Sequence, residues 1–541
     1  QQREFGEPAA QRHKETDGDY LLGYPSAVLA DLGHPDRWAA ACEAEGVTPT
    51  VEVLIERLMP AVGRLMDEVE SRYGSEVQGA EDHAWYWMGP ALADAIAWER
   101  RHTSEDDEAF WPFELQELEA ERDGEPLWAR EGMAARRTLW DALCAGDTRL
   151  GKRPADLIPV LCCLALGSPA VCALRALAEE PSQHWNEDHR QAASGVAAAL
   201  LHYLGHEQTV QMLAGLYPEE RSFATRVLRH ASDGGLQAVL DEYLAVLDVD
   251  QPLGPEQAAG SLIGLEARLA QMEVALRLRP AVLRPEVLRQ DEDGAWRLVP
   301  QARSLRLARP LLEDGGDGDE HDGPTAMTQL RAAFNSPFLP FVLSSTSIGQ
   351  EGLDFHWYSH AIVHWNLPTS PVDFEQRDGR IHRFRNHAVR RNLARDWGST
   401  ALHEVPGRAG WDWMFERATA AVQVLGADAG GMRPSWVYRE GDSAAPRPTP
   451  GWMIEAMGAP ARIERHVPVI PHSRDEARLR RMSMAVGMYR MLFAQPRQED
   501  LLAHLLLQAS TSSLESLAER VVIDLRPPVT LAPADSGAPR A

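Results

Sequence analysis

The chain has 541 residues, 44% hydrophobic and 25% charged, which is long enough for roughly two to four domains with a sizeable core. A net charge of −26 excludes a generally basic nucleic-acid coat, and no apolar run reaches the roughly 18 residues of a membrane span, so no membrane partner is expected. The five cysteines, Cys42, Cys144, Cys162, Cys163 and Cys172, lack metal-ligand or disulfide spacing and fit a reducing cytoplasm.

Gln1, in place of a methionine, leads to the expectation that the chain is a fragment beginning inside a longer protein. Residues 1 to 150 read as a helical N-terminal region. Leu54, Leu58, Val62, Leu65 and Val69 make one apolar stripe at helical spacing, interrupted by Pro60. Trp85, Tyr86, Trp87 and Trp98 can stack bases, although aromatic residues near helix ends more often serve as core. Residues 151 to 300 stay helical. Leu157 to Leu177 is a nearly continuous apolar stretch broken at Gly167-Ser168-Pro169, so it reads as two buried helices or a helix and a strand. Two further stripes run from Leu236 to Leu247 and from Leu262 to Leu276.

Arg303 to Leu312 reads as a strand, and Glu313 to Gly323 as an acidic glycine-rich loop whose aspartates lack the closing glutamate of an EF-hand. Thr325 to Asn335 is then a helix. Phe341 to Ser345 is a short apolar run that reads as a buried strand, followed by a loop from Thr346 to Asp354. Ala361 to Trp365 reads as a second strand. After the breaker Asn366 to Pro371, a helix opens around Val372-Asp373 and carries Gln376-Arg377-Asp378-Gly379-Arg380-Ile381-His382-Arg383. On that helix Arg380 and Arg383, three apart, leave one face together as two planar charged forks. Gln376 to Arg395 holds seven arginines against one acid, which confines any nucleic-acid contact to a strip. Residues 401 to 525 read as an accessory region, with Met482, Val486, Tyr489 and Phe493 on one helix face, and 526 to 541 as a disordered tail.

Thr346-Ser347-Ile348-Gly349-Gln350-Glu351-Gly352-Leu353-Asp354 resembles motif V of superfamily 2 helicases and translocases. Gln376-Arg377-Asp378-Gly379-Arg380-Ile381-His382-Arg383 resembles their motif VI, in the variant of chromatin remodellers. The wider wording, Gln329 to Phe355, Arg385 to Ala394 and Tyr489 to Leu502, resembles a group of large bacterial helicase-related proteins; that resemblance covers roughly residues 155 to 510, and only the core motifs are specific. It implies an α/β RecA-like C-terminal lobe, a parallel sheet with flanking helices over 301 to 400, within largely helical flanking domains. The lobe's first strand and helix would come from 155 to 180, with 181 to 300 as an insertion.

By the same resemblance, Arg380 and Arg383 are arginine fingers towards ATP and Gln376 bonds near its terminal phosphate. Gly352, Asp354 and Gly379 lie on the nucleotide side. Thr346 and Ser347 meet a strand phosphate, and Arg390 and Arg391 extend the contact with DNA or RNA. ATP with Mg²⁺ would be held mainly by a first RecA-like lobe, supplied in cis by missing sequence or in trans by a partner. The implied whole is an ATP-dependent translocase. Two alternatives are a non-hydrolysing nucleic-acid-binding or regulatory subunit, and an assembly subunit lending its arginines to a separate ATPase.

Other motifs read less well. Gly146 to Lys152 matches the G-x-x-x-x-G-K of a phosphate loop, but Arg153 stands where a Mg²⁺-binding hydroxyl belongs. Asp475-Glu476-Ala477-Arg478 looks like a D-E-A-x box set in a polar helix after motif VI. His356, His360 and His364 share a face only if helical, and the strand reading scatters them, so no metal is expected.

Overall fold

The computed structural model describes residues 20–75, 80–102, 110, 130–254, 261–276, 281–283, 286–290, 296–300, 305–307, 326–344, 354–368, 370–424, 432–438, 449–469 and 472–492. The chain divides into two compact units. Unit 1 takes Gln1–Ser344, Leu393–Arg417 and Ala445–Ala459; unit 2 takes Ser345–Asn392, Ala418–Ala444 and Pro460–Ala541.

Helix dominates the described residues, at 67%. In unit 1, short polar side chains start the helices by accepting the amides that the first turn leaves unbonded. Ser26 accepts from Leu29 N before Ala27–Leu32, Thr50 from Val53 N before Val51–Tyr73, and Asn186 from His189 N before Glu187–Leu204. The stripe of Val51–Tyr73 is buried at Leu54, Leu58, Val62, Met66 and Val69, so Met66 takes the place expected for Leu65. The helix runs through Pro60, because burying that face offsets the roughly 3 kcal/mol that an interior proline costs.

The apolar stretch from Leu157 does break into two helices, Leu157–Gly167 and Pro169–Leu177. No single described helix is long and apolar enough to cross a membrane. Pro169–Leu177 packs against Glu187–Leu204 and Leu236–Asp250. Gly33 is required where helices approach closely, since a Cβ there would lie 2.6 Å from Ala165 Cβ. Trp85 and Trp87 are core residues. Asp94 is fully buried and accepts from Tyr24 Oη (2.8 Å), Ser26 Oγ (3.0 Å) and Val28 N (2.9 Å). Burial pushes its carboxyl up to about 6 against the pull of Arg190 and these donors.

The expected RecA-like lobe is not what folds. The described strands pair only two at a time. β1 (Ala281–Leu283) with β4 (Leu305–Leu307), and β2 (Glu286–Gln290) with β3 (Trp296–Pro300), are antiparallel. Only β5 (Ala361–Val363) and β6 (Glu464–His466) are parallel, and no multi-strand parallel sheet exists among the described residues. The start of the expected central strand also fails: 341–344 form no strand, with Phe341 71% and Val342 85% exposed. A short apolar run carries no periodicity, so it cannot distinguish a strand from an exposed loop.

Unit 2 has a small core of Phe374, Met482 and Val486, with Leu367, Val467 and Leu479 against it. Helix Pro371–Gly379 packs on helix Asp475–Leu492 to make it. The sequence sets the first helix locally. Ser370 accepts from Val372 N (3.1 Å), Pro371 occupies the first turn, and Asp373 favours the positive helix start. Fully burying Phe374 contributes about 2 kcal/mol.

Candidate functional site

The site is built where helix Pro371–Gly379 ends. Arg380 is its C-cap, the backbone turns, and Arg383 lies beyond the helix. The two arginines therefore do not share a helix face, which corrects the spacing argument. A different constraint joins them. Arg383 Nε donates to Gly379 O (2.9 Å), and its Nη2 lies 2.8 Å from Asp354 Oδ1. Phe355 N donates to Arg380 O (2.9 Å), and His387 N to His356 O (3.0 Å). Asp354 and Phe355 thus lie directly against the Gly379–Arg383 turn. Both side chains of the Asp354–Arg383 pair stay partly exposed, at 34% and 41%.

Beneath this turn sits a buried polar cluster. Asp378 is 2% exposed; its Oδ1 lies 3.1 Å from His364 Nε2, and its Oδ2 pairs with Arg465 Nη2. His364 follows β5 and Arg465 is in β6, so the parallel pair aims both at one carboxylate. Phe374 lies under both, with the His364 ring centroid at 4.4 Å and the Arg465 guanidinium carbon 4.6 Å from its ring. Burial pulls His364 down to about 4, helped by Arg465 and Arg377. The ring is then neutral, and Nε2–H donates to Asp378. Arg377 Nη1 donates to Asn366 O (2.9 Å), which ties the helix to the loop before it.

The predicted site residues fare unequally. Gln376 is exposed and Gly379 half-buried. Thr346, Ser347 and Gly352 lie outside the described residues. Arg391 is exposed, but Arg390 is 3% exposed and donates to Arg385 O (3.0 Å) and Trp357 O (2.6 Å). Its guanidinium also lies by the Trp357 and Tyr358 rings, so Arg390 braces the interior and does not face a phosphate. His387, near Arg390, His360 and Arg391, is pushed down to about 3, chiefly by burial.

The weaker motifs resolve in physical terms. In the Gly146–Lys152 stretch, Asp147 N and Thr148 N donate to Ala142 O, Leu150 N to Tyr73 O, and Gly151 N to Asp82 Oδ2 (2.8 Å). The amides that would cradle a phosphate are engaged by the protein itself. Asp475 and Glu476 form the first turn of a helix, and Glu476 pairs with Arg480. The three histidines go separate ways: His356 onto Trp357, His360 beside His387, and His364 to Asp378.

Unit 1 also contains a cavity of about 350 Å³ lined by His34, Arg37, His184 and Arg408 among others. Two of its acids are already partnered: Asp31 with His184 Nδ1 (2.7 Å) and Asp248 with Arg268 and Arg408 (2.7 Å each). The residue the sequence argument missed is Arg465. It is distant along the chain, and the short Glu464-Arg465-His466 run carries no signal for it. No protein family, curated protein or solved structure matches the chain in comparison.

Proposed function

We propose that this chain is the arginine-bearing part of an ATP-driven enzyme acting on DNA or RNA, in which ATP and Mg²⁺ are held mainly by a separate lobe in cis or in trans. The observation that carries the reading is the junction of the two motif stretches through Asp354–Arg383 and Phe355 N to Arg380 O. Such a junction couples a nucleic-acid-contacting loop to guanidinium groups. Fixed cations of that kind stabilise the charge that spreads over a transferring phosphoryl group. In this reading Arg380 and Arg383 act on the terminal phosphate, Gln376 bonds beside it, and Gly352, Asp354 and Gly379 line the nucleotide side. Thr346, Ser347 and Arg391 meet the nucleic-acid backbone. The setting that goes with it is the cytoplasm.

A second reading is a non-hydrolysing nucleic-acid-binding or regulatory subunit. The engaged amides of Leu150 and Gly151 favour it, since these donors of that stretch are not open to a phosphate. ATP hydrolysis by the native protein, measured with and without DNA or RNA, separates the two. The first reading predicts turnover stimulated several-fold by nucleic acid. Binding of nucleic acid with no turnover supports the second.

A further inference from the structure

The turn after motif VI contains a strained residue held in place from two sides. Arg385 has φ +49°, a left-handed conformation that non-glycine residues adopt at a cost. Its N–H donates to Ser435 O (2.7 Å), and its carbonyl accepts from buried Arg390 Nη1 (3.0 Å). Buried Asn386 closes the turn by donating from Nδ2 to Arg383 O (2.9 Å). Strain of this kind persists only where its surroundings fix it, and it concentrates at functional positions.

The consequence is a presented aromatic ring. Phe384, between Arg383 and Arg385, is 38% exposed. Trp436 supports it edge-on at 6.0 Å and 67°, and the Arg385 guanidinium carbon lies 5.4 Å from its ring. An aromatic ledge beside a cation is complementary to a polyanion carrying flat rings. Paired bases hide their faces in the stack, whereas unpaired bases can lie on such a ledge.

We infer that Phe384, Arg385 and Trp436 form a base-stacking platform for single-stranded nucleic acid. This rests on the proposed reading of unit 2 as nucleic-acid-directed. It adds the strandedness of the substrate and three residues outside the helicase motifs.

The test is fluorescence anisotropy of the full chain with a labelled thymidine oligonucleotide of about 20 nucleotides, alone and annealed to its complement. The single strand should bind more tightly than the duplex. Phe384→Leu should weaken single-strand binding roughly tenfold, and Phe384→Tyr should retain it. Arg385→Gly keeps the left-handed backbone, because glycine adopts it freely, yet removes the cation; it should weaken binding and lower the salt dependence. Circular dichroism confirms that each variant folds. Binding unchanged in Phe384→Leu, or a duplex bound as tightly as the single strand, overturns the platform and leaves the proposed function standing. Absence of binding by the unaltered chain to either oligonucleotide overturns both.

Discussion

Two stretches of this chain carry motif-like sequences, and they meet opposite fates. Gly146 to Lys152 has the glycines and lysine of a phosphate loop, yet its amides bond to Ala142, Tyr73 and Asp82. Arg377 to Arg385 has arginines at the spacing that resembles motif VI, and its turn meets Asp354 and Phe355 with part of Arg383 open to solvent. The difference teaches that a motif is informative through the polar groups it leaves available. A loop whose donors are committed internally is structure, whatever its spelling.

Predictions follow from the supports of the second stretch. The largest concerns Asp378, which has two basic partners in a nearly dry site. Asp378→Leu strands Arg465 and His364 beneath the turn, and should destabilise unit 2 by about 3 kcal/mol. Denaturant unfolding measures this; a loss below about 1 kcal/mol would mean that the cluster does not hold the turn.

Acid should loosen the same region too. His364 and His387 are held down to about 4 and about 3, so the unfolded chain takes up protons below about 6.5 that the folded state refuses. Stability of unit 2 is therefore full above about pH 6.5 and falls as pH drops towards 4, by on the order of 3 kcal/mol for His364. Hydrogen-exchange protection along Pro371–Gly379, taken relative to the intrinsic exchange rate at each pH, should fall over that window. Equal protection at about pH 7 and about pH 4.5 would contradict the assignment.

The smallest effect belongs to Arg391→Ala. The side chain is exposed, so stability should change by less than about 0.5 kcal/mol while nucleic-acid binding weakens. An unfolded variant would remove Arg391 from the contact surface.

Local features of the fold were legible in the sequence, and distant ones were not. The stripe from Leu54 to Val69, the break at Gly167 to Pro169 and the start of the motif VI helix all follow from periodicity and capping. The end of that helix was missed. It stops at Gly379, one residue before Arg380, so a face argument that needed one more turn failed. The expected fold class fails because three to five apolar residues at Phe341 and Ala361 cannot show that they belong to one sheet. One of them lies exposed, and the other pairs with a strand a hundred residues on. Arg465 was invisible for the same reason: its role comes from that long-range pairing. Phe384 and Arg385 were read only as part of a charged strip, and no local pattern announces a left-handed arginine.

The most direct test sets the two stretches against each other in one assay, nucleic-acid-stimulated ATP hydrolysis by the native protein. Arg380→Ala and Arg383→Ala should each lower turnover roughly 10³-fold with little change in ATP affinity, because such groups act on charge developing in the transition state. Lysine should rescue little, since it lacks the planar fork. Lys152→Ala should leave turnover unchanged, because the amides of Asp147, Thr148, Leu150 and Gly151 in its loop are already bonded within the protein. The reverse result, turnover lost with Lys152→Ala and kept without either arginine, would contradict the account.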